Sequence, residues 1–208
     1  RSRHVDYAIR WSHNIGDFDF GGYYFNGTNR DPILLPKEKD EKIVLQQYYG
    51  QMEQFGVDIQ ATIGDWLYKF EGIHRDTKQE SFWASQAGFE YSFIGVFETF
   101  ADLGVLMEYS WDSRGEGSLT ENGAVFQNDL FLGTRLALND AQSSELLAGI
   151  SSDLDHSATS FLFEGSRRFG DNITASLDIR LFQSSHITDQ LYALKEDDHV
   201  QLSLAYYY

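Results

Sequence analysis

The sequence predicts an all-β fold, an antiparallel up-and-down β-barrel with about 11–12 visible strands, on three observations. Apolar and polar residues alternate with period two through segment after segment, the signature of strands with one apolar face. Short Asn-, Gly- and Asp-rich turns separate many of these segments. The chain also contains no run of about 18 apolar residues, so it has no candidate for a membrane-crossing helix.

Each element rests on its own pattern. Val5, Tyr7, Ile9 and Trp11 alternate with Asp6, Ala8, Arg10 and Ser12, and Phe18 and Phe20 flank Asp19 in the second segment. The third sets Phe55, Val57, Ile59, Ala61 and Ile63 against Gln54, Gly56, Asp58, Gln60 and Thr62. Trp66, Tyr68 and Phe70 mark the fourth; Ala87, Phe89, Tyr91 and Phe93 the fifth; Leu103, Val105, Met107, Tyr109 and Trp111 the sixth. Leu130 to Leu138 form the seventh, Leu146, Ala148 and Ile150 the eighth, and Phe161 and Phe163 the ninth. Ile173 to Leu181 carry the tenth, and Val200, Leu202, Leu204, Tyr206 and Tyr208 the eleventh. Each is close to the ~9–11 residues a tilted strand needs to cross a bilayer. A wall with lipid outside and water inside requires this alternation. The competing fold is a soluble β-sandwich or lipocalin-like barrel with its apolar face inward. Aromatics near strand ends, Trp11, Trp66, Trp111 and Tyr208 among them, favour interfacial girdles instead. No fixed-period repeat supports a solenoid.

The connections alternate in length. Tight links are expected at residues 14–17, 64–65, 139–142 and 170–172, with another short link near 94–101. Long loops are expected at 29–50, 76–82, 113–126 and 184–198, and residues 155–157 give a short link where a long one is due. In an outer-membrane barrel the short turns face the periplasm and the long loops face outward. That parity puts Tyr208 at the periplasmic end and Arg1 at the outer rim. A bacterial barrel starts and ends in the periplasm with an even strand number. The expectation is therefore the C-terminal part of a larger barrel, a single domain over residues 1–208 incomplete at its N-terminus. Alternatively Ile43 to Tyr49 forms a further strand, or an outer extension of the third.

Composition narrows the function classes. The chain has no Cys, which excludes disulfides and thiolate metal sites and suits an oxidising compartment. A net charge of −16 argues against nucleic acid, whose phosphates need a basic face. No signal peptide stands at Arg1, so an exported chain would be mature or truncated.

The last strand resembles the C-terminal signal strand of bacterial outer-membrane β-barrels, which their assembly machinery recognises. Over the whole chain the likeness is to an uncharacterised proteobacterial outer-membrane protein family. Three segments carry it: Gly64-Asp65-Trp66-Leu67-Tyr68-Lys69-Phe70-Glu71, then Asp102-Leu103-Gly104 through Glu108-Tyr109, then Phe126 to Gly133. The resemblance implies an outer-membrane location, contact with outer-membrane lipid and the barrel-assembly machinery, and no catalytic residue.

The polar face supplies the candidate site. Lumen-lining candidates are Asp6, Arg10, Asp58, Glu71, Glu90, Glu108, Asp129, Arg135, Asp178 and Arg180. With Asp19, Asp102, Asp112, Glu145, Asp153, Glu164, Lys69, Arg75, Arg114 and Arg168 they make 13 acidic against 7 basic groups. These charges either line an aqueous pore or fill a narrow lumen by cross-strand pairing. Asp153-Leu154-Asp155-His156 and Asp197-Asp198-His199 fall at the outer rim, where a hydrolase or a cation site would sit. No His-Glu-x-x-His or EF-hand spacing and no cofactor motif is present. The reading is a passive or facilitated transport channel, not an enzyme. The alternatives are a structural or anchor barrel that partners another envelope protein, and an outer-membrane hydrolase with a rim site.

Overall fold

A computed structural model of the chain describes residues 5–30, 32–39, 42–115, 124, 126–156, 158–187 and 190–208. Its strands are β1 (Tyr7–Ile15), β2 (Phe18–Thr28), β3 (Ile33–Lys39), β4 (Lys42–Tyr48), β5 (Gln51–Ile63), β6 (Trp66–Thr77) and β7 (Ser81–Phe93), then β8 (Asp102–Asp112), β9 (Asn128–Ala137), β10 (Glu145–Asp153), β11 (Thr159–Phe169), β12 (Ile173–Gln183) and β13 (His199–Tyr206). Eleven of them form one sheet in the order β1-β2-β5-β6-β7-β8-β9-β10-β11-β12-β13. Every pair of neighbours is antiparallel. Two 3₁₀ turns, Val96–Glu98 and Gln190–Leu194, are the only helical elements among the described residues. No helix is long and apolar enough to cross a membrane, which says nothing about a barrel. The edges of the sheet are β1 and β13, and they run in the same direction because directions alternate across an odd count of strands.

Hairpin chemistry sets the turn end of the sheet. Gly16 and Gly64 hold φ of +59° and +60° between the closing pairs Ile15↔Phe18 and Ile63↔Trp66. A two-residue hairpin needs positive φ at its first central position, which glycine adopts without a Cβ clash. At the opposite, loop end the expectations need two corrections. Residues 76–82 do not form a long loop: β6 runs on to Thr77 and β7 starts at Ser81. Thr77 builds this turn, its Oγ1 accepting from the backbone N–H of Gln79 (3.2 Å) and Glu80 (3.0 Å). Ile43 to Tyr49 adds no wall strand and does not extend β5; most of it is β4, paired only with β3 from Ile33↔Tyr48 to Lys39↔Lys42. Pro36 lacks an N–H and is tolerated in so short a ribbon, where every strand is an edge. Arg1, His4 and Ser157 lie outside the described residues.

The large sheet is a single layer with no packed core. The whole chain, with its β3–β4 ribbon and loops, has an accessible surface of 14386 Å² for 23.8 kDa, whereas a compact monomer of that mass exposes about 9,900 Å². Among the described residues, no large side chain is fully buried. That excess marks a sheet face left uncovered, where a sandwich would bury two inner faces against each other.

The two faces differ in chemistry and in crowding. Cross-strand partners share a face, so the register puts Ile9, Tyr24, Phe55, Val57, Phe70, Phe89, Val105, Leu132, Leu177 and Leu202 together on the apolar side. Trp11 sits mid-strand rather than at an end, opposite Gly22, which leaves it room. On the polar side, large side chains lie across glycines: Tyr23 over Gly56, Glu90 beside Gly104, and Phe131 over both Gly133 and Gly149. A Cβ at Gly149 would stand 2.4 Å from the Phe131 ring. Gly149→Val should therefore lower the unfolding free energy by about 1–3 kcal/mol through overpacking. Gly22→Ala on the open face, nearest atom 4.0 Å away, should be neutral or stabilising. Equilibrium denaturation of the two variants checks both, and a neutral Gly149→Val would refute the close approach.

Candidate functional site: the polar face and its capped rim

All ten candidate positions share the polar face. Arg10 lies opposite Tyr23, Asp58 opposite Glu71, Glu108 opposite Gly88, Arg135 opposite Gly104, and Asp178 opposite Glu164. The candidate arginines are paired. Arg10 Nη2 reaches Asp58 Oδ1 at 2.8 Å, and Arg135 Nη2 reaches Glu90 Oε1 at 2.9 Å. Arg180 bridges Glu164 and Asp178, the latter at 3.0 Å. The Arg10 and Arg135 pairs each reach across an intervening strand, and Arg180 ties β12 to β11 through Glu164 while its contact with Asp178 stays within β12. Glu108 accepts from Gln86 at 2.9 Å, and Arg75 donates to Gln54 at 2.8 Å. A concavity of about 500 Å³ lies over Arg10, Tyr23, Asp58, Gln60, Lys69 and Glu71.

Burial is concentrated at the loop end of β7 to β12. Phe82, Asp112, Gln127, Asp129, Asp153, Ala158 and Leu191 are all buried there, whereas Ala61, Ala101 and Ser144 are buried towards the turn end. The start of the β8–β9 loop is pinned over β7. Ser113 donates its backbone N–H to the Trp83 carbonyl and accepts the Trp83 N–H on its hydroxyl, both at 2.9 Å. Arg114 grips Asp112 with Nε at 2.9 Å and Nη2 at 2.6 Å, and its guanidinium lies 3.8 Å over the Phe82 ring. The Asp112 carboxylate raises the pKa of Arg114 further, so this clamp stays charged.

The rim histidines are differently placed. Asp153 accepts the backbone N–H of Asp155 (2.7 Å) and His156 (2.9 Å) and the Gln127 amide (2.9 Å), so its oxygens build the turn. The His156 ring packs at a tilt against His186, with centroids 4.3 Å apart, which joins two loops. His199 Nε2 stands 3.5 Å from Asp178, and Asp198 accepts the Phe182 N–H at 2.7 Å. Among the described residues, no group of three or more His, Asp or Glu is arranged to hold a metal.

Sequence reasoning missed the aromatic part of the polar face, Tyr23, Phe82 and Phe131, and the Arg114 clamp. Alternation hides an aromatic that lies flat on a glycine; the only signal is the glycine on the neighbouring strand. No family model matches the chain, and comparison with curated proteins and with solved structures gives no match.

At the turn end, the Asp140 carboxyl is held below its usual range, first by the Ser144 backbone N–H at 2.8 Å. The Ser144 hydroxyl (2.9 Å) and Arg167 (3.3 Å) act in the same direction.

Two outcomes follow. Arg114→Ala should loosen the pinned loop by about 1.5–3 kcal/mol, the worth of a hydrogen bond to a charged group. That corresponds to roughly 10- to 100-fold faster amide exchange at Ser113 and Arg114; unchanged protection would sink the clamp. For Asp140, a depressed folded-state pKa gives stability that is complete above the unfolded value of ~3.9 and lost as pH falls through the folded value. The stability difference between wild type and Asp140→Asn should thus shrink on acidification below about pH 4, read from denaturation midpoints across pH.

Proposed function

We propose that the chain is a large part of the wall of a bacterial outer-membrane β-barrel whose polar face lines an aqueous path for passive or facilitated transport. The observation that carries this is an eleven-stranded sheet whose apolar face is uncovered while its charged face is internally paired. In water so large an apolar face would be a severe liability; in lipid it is the required surface. Strands of 9–13 residues in this sheet, apart from the eight-residue β13, fit a tilted crossing. Crowding on the polar face and room on the apolar face support curvature towards the polar side. In this reading the turn end, with Tyr208, is periplasmic and the loop end is outward. Folding would use β13 as the assembly signal. Because β1 and β13 run the same way, closure through antiparallel pairs alone takes an odd number of further strands between them, from the same barrel or an envelope partner.

A structural or anchor barrel is the second reading. The ion pairs of Arg10, Arg135 and Arg180 and the capped rim over β7 to β12 favour it, since both fill the lumen.

Planar-bilayer conductance separates the two. The channel reading expects weak cation preference that fades with salt, because screening acts over ~8 Å at physiological ionic strength. Neutralising Asp58, Glu90 and Asp178 strips partners from three arginines and should move selectivity towards anions further than Glu108→Gln does. No conductance in the reconstituted wild type would leave the anchor reading. The membrane premise has its own check: Leu177→Arg should cost about 2–4 kcal/mol if it lies near the bilayer midplane, while Ser176→Arg on the polar face is tolerated. Equal effects would reject the facing.

A further inference from the structure

Among the described strands of the large sheet, one Arg or Lys faces the apolar side, and it is Arg167 of β11, paired with Ala175. Every other one lies on the polar face. A lone cation on a lipid-type face needs a reason. Arg167 stands at the mouth of a groove of about 330 Å³ on that face. Gly165 and Ala175 form its floor, and Leu146, Phe163, Leu177 and Leu202 its walls. The floor exists because two small residues stand diagonally across the β11–β12 pair, Gly165 opposite Leu177 and Ala175 opposite Arg167. A Cβ at Gly165 would meet Leu146 Cδ2 at 3.1 Å, and a longer side chain would fill the groove. From Phe163 to Phe169 the groove strand spans about 20 Å, the scale of one extended acyl chain, and Arg167 lies near its turn end.

The arginine is held in place with donors to spare. Nη1 bonds Ser144 Oγ at 2.9 Å and lies 3.3 Å from Asp140. Among the described residues both polar contacts fall on Nη1, so Nε and Nη2 can take two phosphate oxygens in bidentate fashion. We propose that this groove is a specific binding site for one anionic glycerophospholipid of the surrounding leaflet, with an acyl chain over Gly165 and the phosphate on Arg167. It rests on the membrane reading. The apolar floor beside a fixed cation matches the two halves of such a lipid, whereas a soluble phosphate would use Arg167 alone.

The test is native mass spectrometry of the full chain after insertion into phosphatidylcholine vesicles containing a minority of phosphatidylglycerol. Wild type should retain one lipid and prefer phosphatidylglycerol. Gly165→Leu should reduce retention of both lipids about tenfold, and Arg167→Gln should reduce the preference for phosphatidylglycerol about tenfold with the acyl-dependent part kept. Gly72→Leu, on the same face in β6, should retain lipid as wild type does and so controls for folding. Equal retention in all four proteins, or displacement by inorganic phosphate, overturns the groove site while insertion leaves the membrane reading intact. Failure of wild type to insert at all defeats both.

Discussion

A single-layer sheet satisfies its backbone laterally and buries almost nothing. That constraint governs the rest of this molecule. Eleven antiparallel strands pair their N–H and C=O groups with their neighbours, but the apolar face has no second layer to cover it. In a globular domain, stability comes from burial in a core. Here the apolar face lacks the cover that a core would give it.

The polar face is organised by the same constraint. With no core to hold the strands in register, register is set by the pleat and by lateral ties. Arg10–Asp58 and Arg135–Glu90 each reach across an intervening strand, and Arg180–Glu164 ties β12 to its neighbour β11. Exposed pairs of this kind are worth only ~0–1 kcal/mol each, so their value is in direction rather than strength. The flat packing of Phe131 on Gly133 and Gly149 does the same job with apolar surface.

Much of the wall was legible in the sequence. Period two is a local property, and a one-residue step reverses the face, so Asp58 and Val57 could be assigned without a structure. The strand order followed from short turns at Gly16 and Gly64. What could not be read depends on contacts between elements. Thr77 closes a tight turn with its own hydroxyl, in a stretch rich in loop-type residues. The β3–β4 ribbon looks like a strand extension because alternation does not say with whom a strand pairs. The Arg114 clamp needs Phe82, thirty-two positions earlier in the sequence, to be brought beneath it by β7–β8 pairing.

The acidic excess also changes meaning once the contacts are known. Several carboxylates cap backbone N–H groups at strand ends: Asp6 takes Thr28, Asp102 takes Gly95, Asp112 takes Arg114, Asp140 takes Ser144, Asp153 takes Asp155 and His156, and Asp198 takes Phe182. For Asp112, Asp140 and Asp153 the short side chain reaches its own local backbone, while Asp6, Asp102 and Asp198 cap across a strand pair or link. Such groups act at the rims. The mid-wall field is set instead by Asp58, Glu71, Glu90, Glu108, Glu164 and Asp178 against Arg10, Lys69, Arg135 and Arg180, a much narrower imbalance than the 13 to 7 count. The net charge of −16 is therefore a poor guide to the middle of the polar face. Turn chemistry accounts for part of the charge, and the remainder is largely compensated on the polar face.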